Sequence, residues 1–96
     1  MVRHIVMWRL KDENKSENLK IMKEMLLSLK DKIPNVAYLE IGTNFNADSS
    51  SFDMVLIATF ESNEDLMIYQ NHPEHVKVAK FIQDVRKERA VVDYDI

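Results

Sequence analysis

The sequence has no cysteine, a single glycine and only two prolines among its 96 residues. Without cysteine there is no disulfide framework, no thiolate zinc site and no thiol nucleophile. This composition fits a reducing, cytoplasmic setting. No apolar run approaches the roughly 20 residues that a membrane helix needs, and the opening Met-Val-Arg-His does not read as a signal peptide. Nor is there a basic surplus: the net charge is −3, which gives no general reason to expect nucleic acid as a partner. Gly-rich phosphate loops, nucleophile elbows and dinucleotide fingerprints are missing too. What is present is 46% apolar and 30% charged residues, the profile of one soluble globular domain over residues 1–96. So short a chain buries only a modest share of its surface. If its sheet is apolar on both faces, a partner is expected.

Val2–Leu10 alternates, with Val2, His4, Val6, Trp8 and Leu10 on one face and Arg3, Ile5, Met7 and Arg9 on the other, which predicts a strand. Ser16 is placed as a helix N-cap, and Leu19, Met22, Leu26, Leu29 and Ile33 follow as a helical stripe that Pro34 ends. Val36–Phe45 reads as a second strand, with Gly42 marking a bulge or a close contact. Phe52–Phe60 reads as a third, apolar on both faces, joined to the second through the polar loop Asn46–Ser51. Ser62–Asp65 has the form of a capping box for a helix reaching Asn71. His72-Pro73 breaks that helix and starts another, running to about Glu88, and Ala90–Ile96 is the last strand. The order β-α-β-β-α-α-β is that of an α+β, ferredoxin-like fold: an antiparallel sheet with helices on one face. The opposite face, with Ile5, Met7, Val55 and Ile57, is expected to meet a second copy of the chain.

Chemistry-bearing residues concentrate in Tyr69-Gln70-Asn71-His72-Pro73-Glu74-His75. With Pro73 first in its helix, His75 is third. There the partial positive charge of the helix N-terminus disfavours imidazolium and leaves a neutral base. The Tyr69 hydroxyl, about one turn before the break, is placed to hold a substrate oxygen or an enolate. His4, on the helix-facing side of the first strand, could converge with His75. A cavity between sheet and helices would be lined by Val6, Trp8, Met54, Leu56, Ala58, Val78 and Ile82.

Plainer roles stand beside these. His72 can serve only as a cap, His75 as a satisfied core histidine, and Tyr69 as a packing residue with its hydroxyl at the surface. A metal site from His4, His72, Glu74 and His75 lacks the helical H-E-x-x-H spacing, so no metal is assigned. Arg86, Lys87 and Arg89, offset by Asp84, Glu88, Asp93 and Asp95, read as a solvated face.

The opening V-R-H-I-V-M-W-R-L-K, the I-P after the first helix, A-T-F-E-S, the Y-x-x-H-P-E-H junction and the closing V-V-D-Y together span nearly the whole chain. In these the sequence resembles the stress-responsive A/B barrel (Dabb) domain family. The resemblance implies a ferredoxin-like protomer that pairs through its sheet into a homodimeric α/β barrel. It implies a small apolar pocket between sheet and helices and no cofactor. One plant branch of the family is a polyketide cyclase that performs an aldol condensation without metal or organic cofactor. Its base and assisting tyrosine map onto His75 and Tyr69, and its first-strand histidine onto His4. This chain departs from that branch at Trp8, Leu26, Met54 and Lys77. The bulk of Trp8 should shrink a polyketide tunnel. Two readings follow: a dimeric module with a small apolar or polyketide-like ligand, and a cofactor-independent enzyme in which His75 abstracts a proton.

Overall fold

A computed structural model describes residues 1–96. Its elements are β1 (Val2–Leu10), α1 (Lys15–Lys32), β2 (Tyr38–Thr43), β3 (Met54–Phe60), α2 (Asn63–Asn71), α3 (Pro73–Val85) and β4 (Arg86–Asp95). The four strands form one antiparallel sheet in the order β2-β3-β1-β4. This is the ferredoxin-like arrangement expected from the order of elements.

Period-two alternation decides which side of each strand is covered. Val2, His4, Val6, Trp8 and Leu10 of β1 are buried beneath the helices, together with Met54, Leu56, Ala58 and Phe60 of β3. Met22, Leu26 and Leu29 of α1, Leu66 and Tyr69 of α2, and Val78 and Ile82 of α3 close over them. Residues directly opposed in a ladder share a face. Ile5 is therefore flanked by Ile57 and Val92, and Met7 by Val55 and Ala90, on the side that no helix covers. Met7, Val92 and Tyr94 stand exposed there. No helix is long and apolar enough to cross a membrane.

Several boundaries differ from the sequence expectation, each for a local reason. Ser16 is not the cap of α1. Asn14 takes the left-handed conformation at φ 54°, which asparagine tolerates, and its carbonyl accepts the Asn18 N–H at 2.9 Å, so the helix begins at Lys15. β2 is shorter than Val36–Phe45: Val36 is spent in a turn onto the Ile33 carbonyl at 3.2 Å, and Phe45 projects from the sheet with 92% of its surface exposed. β3 starts at Met54, while Phe52 lies under the Arg9 guanidinium, 4.3 Å from the ring centre.

Gly42 marks no bulge, because β2 and β3 stay in step through Gly42 and Val55. It marks a close approach: a Cβ there would lie 3.1 Å from Val55 Cγ1. The capping box is one-sided. Ser62 accepts the Asp65 N–H at 3.2 Å, but the Asp65 carboxylate accepts from Asn35 Nδ2 at 2.9 Å.

The largest difference concerns β4. α3 stops at Val85, not Glu88, because the following residues add to the edge of β1. The register runs Trp8–Arg89 and Arg9–Glu88 and then slips to Leu10–Arg86, which leaves Lys87 as the extra residue of a β-bulge.

Candidate functional site

The helix break builds the site. The backbone of His72 is extended (φ −63°, ψ 136°), as a residue before proline prefers, and its Nδ1 accepts the Glu74 N–H at 3.1 Å. His72 is therefore a cap, and its ring is engaged in holding the start of α3. His75 sits in the first turn of α3, packed edge-on against Tyr69 with ring centroids 4.6 Å apart and planes at 60°. Phe60 of β3 backs Tyr69 at 5.1 Å.

Both residues border a cavity of about 360 Å³ between the sheet and the helices. His4, Val6, Trp8, Leu56 and Ile82 line it. Met54, Ala58 and Val78 do not line it: they are buried in the core, Met54 and Ala58 directly opposite the wall residues Trp8 and His4 in the β1–β3 ladder. Alternation identifies the covered face of a strand but not which part of it a helix leaves open. Leu26, Ala79, Gln83, Arg86 and Arg89 complete the wall.

The polar groups of the cavity are short of partners. The Tyr69 hydroxyl, His75 Nδ1 and Trp8 Nε1 are all buried and make no well-formed hydrogen bond with the protein, although the His75 ring lies near the Gln70 carbonyl, which favours its protonated form. Buried polar atoms are nearly always paired, so three unpaired atoms on residues of one cavity wall call for an explanation. Tyr69 is fully buried, which excludes a packing role with its hydroxyl at the surface. Burial raises its pKa, so the phenol stays protonated and can donate. The His75 pKa is lowered, first by burial and then by repulsion from His4, Arg89 and His72, with the Gln70 carbonyl acting the other way. The His75 imidazole is thus held in its neutral, proton-accepting form near neutral pH.

His4 reaches the cavity from β1 and is almost fully buried. Its Nδ1 contacts Oδ1 of Asp93, the residue opposite it on β4. The carboxylate accepts from Nδ1 and fixes the ring, which leaves Nε2 as the free nitrogen. His4, His72, Glu74 and His75 do not gather as a metal site, and no group of three or more His, Asp or Glu side chains converges anywhere in the chain.

The segment is solvated as read, with Lys87, Glu88 and Arg89 exposed, but Arg86 and Arg89 also border the cavity. In a regular strand, residues three apart point to opposite sides. The bulge at Lys87 cancels that offset, so both arginines come to the helix-covered side and reach the cavity. Glu88, left on the other side, pairs with Arg9 at 3.0 Å.

Comparison with known proteins agrees with this architecture. The sequence model of a family described as the stress responsive A/B barrel domain matches residues 2–96. A stress-response A/B barrel domain-containing protein of Arabidopsis thaliana, DABB1, is 30% identical over 98 residues; the match covers 98% of this chain and 46% of that protein. The chain thus spans less than half of that relative. Among solved structures, a dimeric protein of unknown function with a ferredoxin-like fold from Bacteroides fragilis superposes with a TM-score of 0.90 at 32% identity, covering 99% of this chain and 95% of the other. A hydroxynitrile lyase from Passiflora edulis shares the fold with a TM-score of 0.88 at 22% identity, covering 99% and 92%.

Proposed function

The chain belongs to the stress-responsive A/B barrel domain family, and from that premise we propose that it works as a homodimer whose protomers each carry a cofactor-independent acid–base site for a small carbonyl compound. The observation that carries this reading is the pair of buried, unpartnered atoms, Tyr69 Oη and His75 Nδ1, on two residues of one cavity wall.

The chemistry follows from their protonation states. His75 takes a proton from a carbon next to a carbonyl, and the electrons of the broken C–H bond pass to the carbonyl oxygen. The protonated Tyr69 hydroxyl donates to the oxyanion as it forms, in a water-poor setting where such a bond is strong. The Asp93-oriented His4 presents Nε2 as a second polar contact. A cavity of about 360 Å³ bordered by Trp8 suits a compact substrate better than a long polyketide chain.

Dimerisation is proposed through the uncovered sheet face. Ile5, Met7, Val55, Ile57 and Val92 form one apolar surface there, and the similar Bacteroides fragilis protein is described as dimeric.

The test is deuterium exchange from D2O into the α-position of phenylacetone and phenylpyruvate. The wild type should accelerate exchange, and His75→Gln should lose that acceleration by about 100-fold or more. Equal rates for the two proteins would refute the assignment of His75 as the base.

A further inference from the structure

The acid–base site accounts for Tyr69 and His75 but leaves two guanidinium groups of the same cavity unexplained. Arg86 is half-buried and Arg89 exposed, while Tyr69 is completely enclosed. The arginines therefore stand at the mouth and Tyr69 at the floor. Neither guanidinium forms an ion pair, although four acidic residues lie within ten positions in the sequence. The structure shows where three of them go, while Asp95 lies opposite Val2 at the far end of β4. Glu88 is drawn to Arg9 on the opposite face of the sheet, and Asp93 is held by His4. Asp84 contributes only its backbone carbonyl, to Lys11 Nζ at 3.0 Å. The bulge at Lys87 turns Arg86 to the same side as Arg89 and away from Glu88. A local irregularity thus places two guanidinium groups without an ion-pair partner beside a cavity whose apolar wall is Val6, Leu26, Leu56 and Ile82. β-Bulges near sites commonly serve to re-aim a side chain in this way.

We infer that the ligand of this cavity is a small carboxylic acid with an apolar body, its carboxylate held between Arg86 and Arg89 and its hydrocarbon part directed inward. Guanidinium groups match the planar, two-oxygen geometry of a carboxylate, and such charge-assisted bonds are about twice as strong as neutral ones. The inference rests on the acid–base reading and narrows it: the substrate is an acid bearing a carbonyl group, anchored at the mouth so that the carbon next to the carbonyl faces His75. The bound anion also offsets the repulsion that Arg89 exerts on His75, so binding strengthens the base.

The experiment compares phenylpyruvate and α-ketoisocaproate with their methyl esters, and with inorganic phosphate, on the full chain. Binding is followed by NMR and α-proton exchange is measured in parallel. The acids should bind at least tenfold more tightly than the esters, and should weaken as salt is raised. Arg86→Gln and Arg89→Gln should each lose about tenfold in acid affinity with little change for the esters. The exposed Arg89 keeps the test valid if Arg86→Gln folds poorly. Arginine-dependent binding of acids without His75-dependent exchange supports this inference while refuting the acid–base reading. His75-dependent exchange that is equal for acids and esters and indifferent to both arginine variants overturns the inference and leaves that reading standing. Binding of phosphate more tightly than every acid overturns it, as does a failure of both acids to bind.

Discussion

Tyr69 and His75 stand with ring centroids 4.6 Å apart although a helix break separates them in sequence. In one continuous helix, residues six apart point about 120° away from each other. The extended backbone of His72 and the start of a new helix at Pro73 remove that divergence. The break is therefore what brings a phenol and an imidazole together, and the His72 cap is what stabilises it.

Tyr69→Phe separates chemistry from stability. The substitution removes a buried hydroxyl without a partner and keeps the ring that packs on Phe60 and His75. Urea denaturation should show stability unchanged or raised by about 1 kcal/mol, while proton exchange falls. Tyr69→Ala empties a fully enclosed site and should cost about 3–5 kcal/mol.

Asp93→Ala leaves the buried His4 ring without the group that orients it. The Asp93 side chain is 42% exposed, so water softens the loss. Chemical denaturation should register about 1 kcal/mol. The sharper effect should be on the His4 ring signals in an NMR spectrum, which should broaden or divide between tautomers.

The lowered pKa of His75 makes stability depend on pH in a definite direction. Its ordinary value is 6.5, and the folded value lies below that. Between the two the unfolded chain binds more protons, so unfolding becomes easier as pH falls. The full contribution is present above about pH 6.5 and is lost on acidification through the window below it. Thermal unfolding followed from pH 8 to pH 5 should show a smaller acid loss for His75→Gln than for the wild type.

Ile57→Lys tests the dimer. Ile57 faces away from the helices and lies opposite Glu40, which can pair with the new charge, so the protomer should stay folded. Analytical ultracentrifugation should give twice the 11.3 kDa chain mass for the wild type and the single mass for the variant. A variant that remains dimeric would place the interface elsewhere.

His72→Ala should destabilise α3 by about 1 kcal/mol through loss of its cap. The resulting fraying of the first turn should carry His75 with it, and circular dichroism paired with exchange kinetics would show both losses together.

Much of this was legible in the residues. Alternation in Val2–Leu10 placed His4, Val6 and Trp8 under the helices, and His-Pro marked the junction that sets His75. Contacts made at long range were not legible. The sequence separation of 89 from His4 to Asp93 is closed only by the β1–β4 register. The two arginines were hidden for a different reason. Regular alternation assigns Arg86 and Arg89 to opposite faces, and nothing in the run Arg86-Lys87-Glu88-Arg89 signals the bulge that unites them. Met54, Ala58 and Val78 were placed on the correct face and are buried there, but they do not border the cavity, because alternation fixes the face and not the position along it.

In the proposed function His75 is a neutral base held ready in a cavity. An NMR titration of its ring resonances, assigned by comparison with His75→Gln, tests this most directly. The midpoint should lie below 6.5 in the free protein and move upward when phenylpyruvate binds. A midpoint at or above 6.5 without ligand would contradict it.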